Sequence, residues 1–183
     1  MDLNKVEFHI DAYKTHGQIL DAASFVIKAF GLEHFNFAGF DFREEMDARS
    51  IVLTTEGELS QPQKVKIPKN LFDFDFNFNF NFNFNLVLNL IAHEMLHVRQ
   101  KAQETLVEDK NEREFQAYYE TLFHKVFPQI PDVPDFNRKQ FADKALEYYR
   151  RMGEGSVLQE KYASQKEEVE TLKRELSQEN KDL

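Results

Sequence analysis

Apolar positions along the chain change their period several times, and each period predicts an element. Val6, Phe8 and Ile10 alternate with polar residues, which predicts a half-buried strand. Residues 18–30 carry Ile19, Leu20, Ala23, Val26, Ile27 and Phe30 on one face of an amphipathic helix, with Gly31 as its stop. Two strands are expected over 35–42 and 50–55, separated by the charged turn 43–47. A polar loop through Gly57 and Pro62 then leads to a short strand over 64–68. The run 86–92 is almost wholly apolar and has no Gly or Pro, as a buried helix requires. After a charged connection over 104–111, residues 112–127 form a second helix of this half. Its apolar stripe is Phe115, Tyr118, Tyr119, Leu122, Phe123 and Val126. Pro128, Pro131 and Pro134 punctuate a loop, and 136–152 reads as a third helix ended by Gly153 and Gly155.

Two segments depart from this pattern. Residues 72–85 place Phe at every even position, with Asp73, Asp75 and then Asn at the odd ones. Strict alternation suits a strand with Phe on one side and Asx on the other, about 45 Å long if fully extended. Either the segment is a slipped repeat in a loop, or it is a Phe-lined surface beside a cleft, gripping apolar substrate residues or a protein partner. Seven Phe in a row also need covering to avoid aggregation. Beyond Leu158 the apolar residues thin to Tyr162, Val169, Leu172 and Leu176 among charges. That spacing predicts a marginal coiled coil, a helix formed against a partner, or a solvated tail. The expected organisation is one domain over 1–152, carrying the 72–85 insert, and a charged helical tail over 153–183.

Charge narrows the function classes. Twenty-three basic against 32 acidic residues give a net charge of −9, which argues against nucleic-acid binding and offers no polybasic patch for a membrane. With no Cys, neither disulfides nor Cys-ligated metal can form. The N-terminus lacks the basic start and apolar core of a signal peptide, and the one long apolar segment is interrupted by Asn. A cytoplasmic location is therefore expected, and the Asn/Phe repeat hints at an AT-rich bacterial or phage genome.

The candidate chemistry lies in His93-Glu94-Met95-Leu96-His97. Two His four residues apart project from one face of a helix, so both imidazoles reach one metal ion. Glu94 can touch an activated water without ligating the metal. This is the HExxH pattern, in which Zn²⁺ acidifies water and the carboxylate accepts its proton as the water attacks a carbonyl. The competing possibility, a core helix with two satisfied His, would bury a costly polar cluster.

A catalytic zinc site takes a third protein ligand, and the source is the stretch 111–120. With Gln100 completing HExxHxxQ, and Glu114 standing three residues before the small Ala117, residues 64–127 resemble the gluzincins, a branch of the zincin-like metallopeptidases. The resemblance implies an α+β domain in which a Glu of the next helix completes a His-His-Glu site, here Glu114. It also implies that the strand before the motif helix, 64–67, borders the cleft and pairs with an extended substrate. The stripe of the second helix favours Glu112 instead, because Glu112 projects nearer the centre of the apolar face; Glu120 and His124 are weaker candidates. Tyr118, four residues after Glu114, is either an oxyanion donor or a core Tyr with its hydroxyl at the rim.

The expected function is zinc-dependent hydrolysis of peptide bonds in a peptide or protein substrate. His93, His97 and Glu114 would hold Zn²⁺, with Glu94 as general base and Tyr118 as auxiliary donor. The alternative is a zincin-fold structural or assembly protein, for example phage-associated, that binds zinc with little or no protease activity. In either case the tail or the Phe segment could serve a protein partner or self-association.

Overall fold

The N-terminal segment is a helix, α1 (Leu3–Thr15), and not the strand its alternation suggested. Val6 and Ile10 are buried four residues apart, with Leu3 and Tyr13 packing beside them, while Phe8 is 70% exposed. The stripe 3-6-10-13 has helical spacing, and a period-two reading of three residues borrowed Phe8 from the wrong face. The computed structural model describes residues 3–43, 52–73 and 80–178, with backbone placement only for 80–83. α2 (Ile19–Ala29) follows and buries Ala22, Ala23, Val26 and Ile27. Gly31 stands just past its end at φ +61°, the left-handed conformation that stops a helix at little cost.

Three short strands form a mixed sheet: β1 (Phe37–Phe42), β2 (Thr54–Glu56) and β3 (Gln63–Ile67). Their order is β1-β3-β2, with β1 parallel and β2 antiparallel to β3. Val65 and Ile67 are buried, and Lys64 and Lys66 point the other way, as strand alternation requires. The strand expected to border the cleft is thus the central one: Val65 pairs with Phe40 on one side and Thr55 on the other. Both of its edges are used, so no peptide can add to it, and β2 is the strand that lies towards the motif helix. Of the expected charged turn, only Arg43 lies within the described residues.

α3 (Phe80–Gln100) is the axis of the fold. Its N-terminal part corrects the strand expected over 72–85. Phe84 is fully buried and lies 6.0 Å from Phe30 ring to ring, and Leu88, Ile91 and Met95 continue its stripe at helical spacing. The side-chain amides of Asn85 and Asn89 donate to the carbonyls of Asp132 and Pro131, tying the helix to the proline-punctuated loop. Tertiary burial and an adjoining strong helix thus override the local alternation over 80–85. Residues 74–79 of the repeat lie outside the described residues.

α4 (Lys110–Phe123) starts on the Asp109 carboxylate, which accepts from the Glu112 N–H at 2.9 Å. It ends three residues before the expected stripe does, because His124 turns left-handed at φ 46° and the Glu120 carboxylate accepts from the N–H groups of Val126 and Phe127. α5 (Asp135–Arg151), α6 (Val157–Lys161) and α7 (Ala163–Gln178) follow. Val169 and Tyr162 are buried in one apolar cluster with Phe115, Phe141 and Ala145, and Leu172 packs against it. The charged C-terminal segment therefore spends its apolar residues on α4 and α5 of its own chain. A second cluster gathers α1, α2, the sheet and α3. The result is an α+β fold with α3 between the two clusters. Among the described residues, no helix is long and apolar enough to cross a membrane.

Candidate metal centre

His93, Glu94 and His97 sit on the last turns of α3, all three buried, where α4 crosses on one side and β2 on the other. His93 Nε2 and His97 Nε2 face each other at 3.1 Å. Glu114 Oε2 lies 3.6 Å from each of them. Three ligands at tetrahedral angles and 2.0–2.1 Å from one Zn²⁺ would be separated by about 3.4 Å, so this triangle has the dimensions of a three-ligand zinc site. Among the described residues, no further His, Asp or Glu joins the group. The donor set of two imidazoles and one carboxylate could hold a metal ion, and all three side chains line the cleft.

The other candidates for third ligand are engaged elsewhere. Glu112 Oε1 accepts from Tyr162 Oη at 2.6 Å and Lys161 Nζ at 2.7 Å. Glu120 closes the C-terminus of α4, and His124 Nε2 lies 3.3 Å from Asp132. The stripe argument identified the core-facing side of α4 correctly, but that side faces α5–α7. Glu114 belongs to the neighbouring stripe 110-114-118, which faces α3.

Gln100 connects the site to the rest of the fold. Its Oε1 lies 2.7 Å from His97 Nδ1, and its Nε2 donates to Arg113 O at 3.0 Å and Gln116 Oε1 at 2.8 Å. With the amide nitrogen committed to two acceptors, its oxygen must accept, so His97 carries its proton on Nδ1 and offers the Nε2 lone pair to the centre. Gln116 in turn donates to Tyr162 Oη, which reaches Glu112. A continuous chain of polar side chains therefore runs from His97 to α6.

Glu94 stands apart from the ligand group. Thr55 Oγ1 donates to its carboxylate at 2.7 Å, which holds that carboxylate against β2. Tyr118 packs its ring on His93 with centroids 4.7 Å apart and stacks on Tyr148 at 5.8 Å. Both Tyr118 and Tyr148 line the cleft, and both phenols are pushed up by burial and by the Glu114 charge, so they stay protonated as hydrogen-bond donors. Burial opposes charge on Glu114 and on His97. The mutual attraction of imidazoles and carboxylate wins, holding Glu114 well below the usual carboxylate range and raising His97.

The cleft has a volume of about 390 Å³, and β2 supplies one wall through Leu53, Thr54 and Thr55. Lys101, Lys110 and Arg113 line it as well. Sequence reasoning found neither Thr55, Tyr148 nor these cations. Thr55 and Tyr148 come from elements far from the motif in sequence, but Lys101 was legible as the next residue of the 93-97 series. Comparison of the chain with protein-family models, curated proteins and solved structures gave no match.

Proposed function

We propose that this protein is a zinc-dependent peptidase of the zincin type, with His93, His97 and Glu114 as the metal ligands. The observation that carries the reading is the ligand triangle opening on a cleft beside a carboxylate that does not belong to it. Zn²⁺ in such a set supplies Lewis acidity, lowering the pKa of water and polarising a carbonyl. The chain's own residues do the rest. Glu94, oriented by Thr55, takes the proton of the attacking water and returns it to the leaving amine. Tyr118, protonated and at the cleft wall, donates to the carbonyl oxygen as charge develops there. The substrate backbone runs along β2, between that strand and α4. A scaffold that merely bound zinc would have no use for a carboxylate held next to the site, which favours the enzyme over the structural alternative.

The test is metal content by elemental analysis together with cleavage of a broad peptide library by the wild type and by Glu94→Gln. Stoichiometric zinc in both proteins, with cleavage by the wild type and a loss of at least about a hundredfold in the variant, is the expected result. Zinc without cleavage across the library would refute the peptidase, and absence of zinc binding would refute the site.

A further inference from the structure

The two helices that hold the centre present matching stripes. Along α3 and the residue just past its end the series is His93, His97, Lys101; on α4 it is Tyr118, Glu114, Lys110. His93 meets Tyr118, and His97 meets Glu114, so the helices are antiparallel here and the next step brings Lys101 and Lys110 to the same end. Arg113 joins them, since its carbonyl accepts from Gln100, the residue before Lys101. All three cations line the cleft. One step of four residues along a helix is about 6 Å, which sets the distance of this end from the ligand level.

None of the three has a carboxylate within ion-pair distance among the described residues. Arg113 donates to the carbonyls of Val107 and Glu108, and Lys101 to that of Gly57 at 3.1 Å, so their charges are positioned but not neutralised. Burial pushes the Lys101 ammonium down and Arg113 adds to it, while the carboxylates of Glu94, Glu114 and Glu56, beyond ion-pair distance, act the other way. A chain of net charge −9 has carboxylates in excess, yet it leaves this end of the cleft cationic.

We propose that Lys101 and Lys110, with Arg113 behind them, form a subsite for a carboxylate of the substrate, one or two residues from the bond cleaved. An extended peptide advances about 3.3 Å per residue, so the 6 Å step matches that displacement. The carboxylate comes from an Asp or Glu side chain or from a free C-terminus. Either would receive charge-assisted hydrogen bonds that an uncharged peptide cannot match. This assignment rests on the peptidase reading and names its substrate class.

The experiment uses zinc-loaded full-length protein and matched peptides that the wild type cleaves. One set carries Glu or Gln on either side of the scissile bond, and the other ends in a free acid or an amide. The expected result is a preference of about tenfold in kcat/KM for the carboxylate member of one set, on the scale of a hydrogen bond to a charged group. The set that responds identifies the source. Lys110→Gln, which alters an exposed side chain, and Lys101→Gln should each erode that preference while zinc affinity stays within a factor of two. Equal cleavage of carboxylate and neutral members would overturn the subsite and leave the peptidase standing. Failure of the wild type to cleave any peptide of the library from which these sets are drawn, despite bound zinc, would overturn both.

Discussion

Gln100 holds His97 through a 2.7 Å hydrogen bond to Nδ1, and it can do so in only one orientation because Arg113 O and Gln116 occupy its amide nitrogen. The amide fixes which imidazole nitrogen faces the centre and keeps the ring from rotating. Gln100→Leu keeps the volume and removes the acceptor. Partners of this kind are worth about 10- to 100-fold in metal affinity. We expect a zinc Kd raised within that range, read by competition with a chelating dye, and an unchanged Kd would show that packing alone orients His97.

Glu114 and Glu112 lie two residues apart on α4 and should fail in different ways. Glu114→Gln removes a charged ligand and is expected to weaken zinc binding by more than a hundredfold, with a modest change in metal-free stability. Glu112→Gln leaves a buried site with Tyr162 and Lys161 still in place but without its charge. Its expected cost is about 1–3 kcal/mol of folding stability, measured by urea denaturation, with zinc affinity changed far less than in Glu114→Gln. The reverse pattern would make Glu112 the ligand.

Zinc binding should release protons with a defined sign. His97 is raised in the metal-free protein, so at pH 6, below the ordinary imidazole value, its Nε2 carries a proton that the metal must displace. Glu114 is held far below neutrality and contributes none between pH 5 and 8. Apparent affinity should therefore fall by up to about tenfold per pH unit for each proton displaced as pH drops, and level off above the His97 pKa. Calorimetry in two buffers of different ionisation heat counts those protons. Zero release at pH 6 would contradict the assignment.

What the sequence made legible follows from the range of the forces involved. The HExxH helix, the Glu-bearing helix after it and the helix over 136–152 are long segments whose periodicity survives any partner. The pair His93 and His97 was readable for the same reason, since i,i+4 geometry lies within one helix, whereas Glu114 came from the resemblance and the stripe of its own helix pointed to Glu112. The alternations at 6–10 and 80–85 misled because period two and period 3.6 share every fourth residue: Val6 with Ile10, and Phe84 with Leu88, satisfy both. Only packing against α2 decides between them. The strand order was invisible from local pattern, because Thr54–Glu56 and Gln63–Ile67 are both short and polar on one side. Thr55, Tyr148 and Tyr162 reach the site or its support through tertiary contacts that no local spacing encodes.

Thr55 gives the sharpest separation of catalysis from metal binding. Its hydroxyl donates to the Glu94 carboxylate at 2.7 Å, and its side chain touches none of the three ligands through any hydrogen bond in the described residues. Thr55→Val is nearly isosteric and preserves the strand, since both residues are β-branched. Without the hydroxyl, Glu94 keeps its charge but loses the contact that aims it, and general-base catalysis depends on that aim. The expected outcome is a fall in kcat of about 10- to 100-fold with KM and zinc content unchanged. Thr55→Ser, which restores the donor, should recover most of the rate. A variant equal to wild type in kcat would mean that Glu94 is positioned by α3 alone.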